Sequence, residues 1–141
     1  MIRAFSDRDM DSVLDVWLES SVKAHDFVGR EFWESKLGDM RDLYIPASET
    51  YVYETEGTIK GFFSLHEDTL AAIFVAPGCH GEGIGKQMIE KAKTLRSRIT
   101  LEVYKENQNS VAFYRRCGFR KLVEKDDPHT GHRALVMAFC S

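Results

Sequence analysis

Glycines at positions 81, 83 and 85 fall between an apolar run, Leu70 to Val75, and a stretch of helical periodicity. Pro77 and Gly78 end the run as a strand, because proline offers no amide to a ladder and glycine favours a turn. Beyond the glycines, Ile84, Met88, Ile89, Ala92 and Leu95 share one side of a helix, with Lys86, Glu90, Lys91 and Lys93 on the other. A strand that passes through glycines into a helix has a chemical use. The first amides of a helix lack intrahelical acceptors, and the dipole places about half a positive charge there. Glycines let phosphate oxygens approach those amides. Spacing narrows which phosphate cradle this is. A Walker A loop would need glycine where His80 stands and Ser or Thr where Gln87 stands. A G-x-G-x-x-G fingerprint would need glycine at Lys86 or Met88. The pattern that remains is x-x-G-x-G directly after a strand.

Two further side chains could carry chemistry. In the strand expected over Ile99 to Val103, alternation puts Ile99, Leu101 and Val103 on one face and Thr100 and Glu102 on the other. A carboxylate within a core strand is unusual, so Glu102 is either a surface residue on a half-exposed face or a placed group. Tyr114, on a short helix expected from Ser110 to Arg116, is either an aromatic filling core beside Phe113 and Phe119 or a reactive hydroxyl.

HGEGIGK resembles the acetyl-CoA signature Q/R-x-x-G-x-G/A of the GNAT N-acetyltransferases, with Gly83 and Gly85 in the glycine places. Downstream, LEVYKENQNSVAFYRRCGF resembles the second half of the same core: a strand, an Asn, then a helix carrying Tyr before Gly-Phe. The chain departs from the pattern at His80, where Gln or Arg is usual, and at Glu82, which adds negative charge beside the proposed phosphates. The stretch S-x-x-x-x-H-D-F from Ser20 to Phe27 is similar to small stand-alone bacterial members of the YiaC and YjaB type.

The resemblance implies an α/β fold: a mixed, mostly antiparallel sheet with helices on both faces, its parallel fourth and fifth strands splayed to admit the cofactor. It implies acetyl-CoA as co-substrate, no metal, and direct acetyl transfer to a primary amine, with a protein N-terminus or lysine favoured. A polyamine or antibiotic acetyltransferase and a non-catalytic acyl-CoA-binding regulatory module are the alternatives. By residue-to-residue matching, Glu102 falls at the general base and Tyr114 at the general acid of the ribosomal-protein N-terminal acetyltransferases. Asn107 and Tyr114 would meet the pantetheine arm, and the backbone of Ile73, Phe74 and Val75 would pair with it as an added strand. The turn of His80, Gly81, Gly83, Ile84, Gly85 and Lys86 would hold the pyrophosphate. His25, Asp26 and Phe27 fall where the family walls its acceptor site, although His25-Asp26 also reads as a loop pair capping the next helix.

The chemistry those residues would have to perform is definite. A lysine-like amine of pKa near ~10.4 is about one part in a few thousand free at neutral pH, so a nearby base is useful. A departing thiolate of pKa near ~8.5 can be stabilised by a phenol.

The whole chain fits one domain over its 141 residues, with 43% hydrophobic and 29% charged residues, a globular composition. The charged start MIRAFSDRD lacks the apolar region of a signal peptide, and no apolar run approaches the ~20 residues of a membrane span. Cys79, Cys117 and Cys140 form no C-x-x-C pair and read as thiols of a reducing cytoplasm. A net charge of -3 argues against nucleic-acid binding; oligomeric state is not legible. His129 and His132 have no third ligand nearby and read as an ordinary polar turn.

The remaining elements follow from periodicity. A strand is expected at Ile2 to Phe5, and a capping box of Ser6 with Asp9 opens a helix bearing Met10, Val13, Leu14, Trp17 and Leu18, ending near Ser20 or Ser21. A second helix is expected from Arg30 to Tyr44. A hairpin over Tyr51 to Leu65 turns at Glu56-Gly57. Asn109 is the expected cap of the helix carrying Tyr114 and Gly118 its stop, with final strands at Phe119 to Lys125 and Arg133 to Phe139.

Overall fold

The computed structural model describes every residue except His25, Asp26 and His129. Among the described residues seven strands form one sheet: β1 (Ile2–Ala4), β2 (Glu49–Thr55), β3 (Thr58–His66), β4 (Thr69–Val75), β5 (Arg98–Tyr104), β6 (Arg120–Asp126) and β7 (Arg133–Cys140). Their order is β1-β2-β3-β4-β5-β7-β6, and the β4–β5 pair alone is parallel. The helices are α1 (Met10–Ala24), α2 (Arg30–Glu34), α3 (Leu37–Asp39), α4 (Ile84–Leu95) and α5 (Gln108–Arg116).

Each face of the sheet has its own core. Val13, Val16, Trp17 and Leu18 of α1 and Trp33 of α2 pack with Val52 and Phe62 on one face. Ile84, Met88, Ile89 and Ala92 of α4 and Val111 of α5 pack with Phe63, Leu101 and Met137 on the other. Consecutive Phe62 and Phe63, both fully buried, anchor the two cores from one strand, since alternate side chains leave opposite faces. Gly61 beside them is required by close packing: a Cβ there would lie 2.9 Å from the Phe74 carbonyl oxygen and 3.1 Å from Met88 Cε. The turn between β2 and β3 holds Glu56 at φ 54° and Gly57 at φ 77°, the two positive values of a tight hairpin whose twist matches its strands.

Three boundaries differ from expectation. Helix α1 continues to Ala24, past the serines where an end was expected. Serine disfavours helix interiors when its hydroxyl competes for nearby backbone; here Ser20 Oγ instead donates to the Val75 carbonyl at 2.9 Å, and Ser21 is fully buried. The expected second helix is broken into α2, α3 and a π-helical turn over Met40–Tyr44. Ser35 Oγ binds the Phe32 carbonyl at 2.5 Å and Lys36 lies at φ -97°, ψ -4°, while Gly38 adds no helical preference to bridge the break. Finally, Asn107, not Asn109, caps α5, its Oδ1 accepting from the Ser110 amide at 3.3 Å.

Candidate active site

The site begins with a ladder that is barely made. Among the described residues β4 and β5 are paired only at Thr69 and Thr100, whose hydroxyls also lie 3.3 Å apart, with a further bond from the Thr100 amide to the Asp68 carbonyl at 2.8 Å. The cause lies in β4. Its register with β3 steps from Ser64–Ala72 to Leu65–Leu70, leaving Ala71 bulged, and a bulge bends and twists its strand. Past Thr69, the edge of β4 that faces β5 carries Ile73, Phe74 and Val75 without a partner strand. The Val75 carbonyl is already engaged, accepting from Ser20 Oγ and from His80 Nε2 at 3.2 Å. Where the strands part lies a cleft of about 300 Å³ lined by Thr69, Leu70, Ala71, Thr100, Leu101, Glu102 and Val136.

At the far end of β4 the chain turns into α4. Gly81 and Gly83 lie at φ 86° and 78°, a left-handed conformation that side chains with a Cβ rarely adopt. Gln87 donates to the Gly83 carbonyl, whereas the amides of Gly81 to Lys86 donate to no backbone group among the described residues. These are the unpaired donors of a helix start. Gly85 has a packing role as well: a Cβ there would meet Phe113 Cζ of α5 at 3.2 Å. His80 is turned back onto the strand end and closes the loop.

Helix α5 approaches from the same face as α4. The Tyr114 ring packs edge-on between Phe113 and Phe119, at 5.4 and 5.8 Å between centroids. The ring packs against the core, and the hydroxyl takes no hydrogen-bond partner among the described residues. Burial, with a smaller contribution from Cys117, pushes the phenol well above its ordinary range. It is thus a neutral O–H donor at any physiological pH. Asn107 spends its carbonyl oxygen on the helix cap, so only its amide NH2 is left to donate outward.

Glu102 is exposed, lines the cleft, and forms an ion pair with Lys125 of β6. Two residues along the same face, the Tyr104 hydroxyl donates to Asp127; burial first, then that bond, push the Tyr104 phenol up to about 12. Phe27 leans on Tyr104 and on His132, with centroids 5.4 and 4.7 Å away, and His132 Nδ1 pairs with Glu106 at 3.1 Å. Phe27 thereby joins the α1–α2 loop to β5 and to the β6–β7 loop. His25 and Asp26 lie outside the described residues. Lys125, Tyr104 and Asp127 escaped the sequence reading. The alternation of Thr100, Glu102 and Tyr104 could have flagged Tyr104, but no local pattern brings Lys125 across a sheet to Glu102. No group of three or more metal-ligating side chains is present among the described residues.

A single bulged parallel pair opening beside a helix start with unpaired amides is matched by sequence. The model of the Acetyltransferase (GNAT) family matches residues 10–119. The chain belongs to the GNAT acetyltransferase family. This GNAT chain is 35% identical over 120 residues to the peptidyl-lysine N-acetyltransferase YiaC of Escherichia coli K12, covering 84% of itself and 82% of the relative. It is 27% identical to the peptidyl-lysine N-acetyltransferase YjaB of the same strain, with 98% and 95% covered. The solution structure of apo YjaB from Escherichia coli superposes with a TM-score of 0.86 at 25% identity, over 99% of this chain and 96% of that one. As a GNAT enzyme the protein takes acetyl from acetyl-CoA and gives it to an amine. Its own residues fit such a co-substrate: the unpaired amides at the start of α4 suit a pyrophosphate, and the unpaired edge of β4 suits an amide-bearing arm.

Proposed function

We propose that this enzyme acetylates lysine side chains of proteins, within a cytoplasmic compartment and as a single domain over residues 1–141. The observation that carries this is the cleft at the parting of β4 and β5, with the Glu102 carboxylate on its lip. Acetyl-CoA supplies an activated thioester. The amides of Gly83, Ile84, Gly85 and Lys86, with His80 and Gly81 shaping the turn, hold its pyrophosphate. Ile73 and Phe74 of β4, with Val75 beside them, align its arm with the cleft, and the Asn107 amide NH2 donates to that arm. Glu102 attracts the acceptor ammonium and takes its proton, directly or through water. Tyr114 donates a hydrogen bond to the departing sulfur. Its raised phenol makes complete proton transfer to a thiolate of pKa near ~8.5 uphill, so hydrogen bonding to the developing charge is its main contribution. Phe27 walls the acceptor entrance. Lysine is preferred to an N-terminal amine because YiaC and YjaB are both named for peptidyl-lysine. Three free thiols, Cys79, Cys117 and Cys140, fit a reducing cytoplasm.

The test offers acetyl-CoA and two peptides of one sequence, the first with a blocked N-terminus and a free lysine, the second with the reverse. Acetylation of the first and not the second, read by mass spectrometry, is expected. Acetylation confined to the second would replace lysine by the N-terminus as acceptor.

A further inference from the structure

The carboxylate assigned to receive the acceptor's proton already holds a lysine ammonium. Lys125 Nζ of β6 reaches over β7 to Glu102 Oε1 of β5, on the lip of the cleft. The other ion-paired lysines sit on carboxylates that do not line that cleft: Lys93 on Glu90 and Lys105 on Glu124. The Lys125 and Glu102 side chains are 45% and 56% exposed, so the pair is open and the four-carbon stem can swing without displacing packed groups. A tethered amine also needs no encounter step. Intramolecular delivery gives a group an effective concentration no dilute peptide matches.

We propose that Lys125 is an acetylation site that the chain modifies itself, in cis, with Glu102 taking its proton. The proposal rests on the active-site assignment above. The Lys125 ammonium gives one proton to Glu102, its nitrogen forms the C–N bond to the acetyl carbonyl carbon, and the second surplus proton on that nitrogen passes to solvent as the amide forms. The thioester C–S bond breaks, its electron pair leaves with the sulfur, and Tyr114 donates a hydrogen bond to that sulfur. The products are acetyl-Lys125 and CoA. The neutral amide cannot form an ion pair with Glu102, so modification loosens the contact and frees the carboxylate for an acceptor in trans.

The experiment incubates the purified chain with acetyl-CoA, with and without the blocked lysine peptide, and maps acetylation by peptide mass spectrometry. Lys125 is expected to acquire one acetyl group at a rate unchanged on diluting the protein, and Lys125→Arg, which preserves the cation, is expected to remove that label. Glu102→Gln separates enzymatic from adventitious modification by sign. Acetic anhydride, which reacts only with free amine, should label Lys125 severalfold faster in Glu102→Gln, because the ion pair favouring the ammonium is gone. Acetyl-CoA should label it about tenfold or more slower, because the base is gone. Faster labelling by both reagents overturns the proposal. An unmodified Lys125 beside an acetylated peptide also overturns it while leaving the proposed function standing. A labelled Lys125 beside an untouched peptide upholds it and sinks the acceptor assignment instead.

Discussion

At the scale of single residues, Tyr114 has a packed ring and a hydroxyl proposed to act on the departing sulfur. The ring fills core between Phe113 and Phe119, and the hydroxyl has no partner to lose among the described residues. Tyr114→Phe therefore leaves packing and melting temperature nearly unchanged. If the phenol stabilises the sulfur mainly in the transition state, kcat falls about ten- to a thousandfold with KM for acetyl-CoA little altered. Full turnover would reduce the residue to its ring. Asn107 gives a contrasting case, since its carbonyl oxygen caps α5. Asn107→Ala should cost about 1 kcal/mol of stability in denaturant melts, and Asn107→Asp, which keeps the cap but removes the NH2 donor, should weaken acetyl-CoA while sparing stability.

At the scale of elements, glycines near α4 do different work. Gly83 lies at φ 78° with nothing closer to an added Cβ than Gln87 Nε2 at 4.0 Å, so its constraint is conformational and faces outward. Gly83→Val should lose acetyl-CoA binding while remaining folded. At about 100 times the dissociation constant the wild type gains roughly 2.7 kcal/mol of stability, a thermal shift this variant should lack. Gly61 lies under the same helix turn, and its added Cβ would press on the Phe74 backbone oxygen at 2.9 Å. Gly61→Ala should lower the melting temperature by an overpacking cost of about 1 to 3 kcal/mol, yet retain a thermal shift with acetyl-CoA. A Gly61 variant that is stable but blind to the co-substrate would mean that β3, not the turn, governs the cradle.

At the scale of the molecule, the acid limb of stability should lie where β1 meets the start of α1. Arg3 donates to Asp9 at 2.8 and 3.0 Å and to Glu54 at 3.0 and 3.3 Å, and Asp9 is 4% exposed. The Arg3 hydrogen bond holds the Asp9 carboxyl down at about 2. A depressed carboxylate contributes stability that is complete above its unfolded pKa near ~3.8 and lost as pH falls through the folded value. Stability should thus fall by on the order of 1 to 2 kcal/mol between about pH 4 and pH 2, and Asp9→Asn should flatten that limb. An unchanged limb in Asp9→Asn would place the acid sensitivity elsewhere. None of the described helices is long and apolar enough to cross a membrane.

Order along the chain was legible wherever one local rule acted. The i, i+3, i+4 stripe of α4, the alternation of β5, the positive-φ turn at Gly57 and the glycines after β4 each depend on near neighbours, and each lies where the sequence placed it. The two core motifs, set in order, were enough for the family. What only the tertiary structure decided are contacts between residues far apart in the chain. Ser20 stays helical because β4, 55 residues on, takes its hydroxyl. Ala71 bulges because β3 and β4 must keep register on both sides of it, and that bulge rather than any motif parts the ladder over the cleft. Lys125 reaches Glu102 because the sheet order places their strands on either side of β7, within the span of a lysine stem. Sequence periodicity reports which face a side chain leaves by, and carries no information about what the opposing chain presents to it.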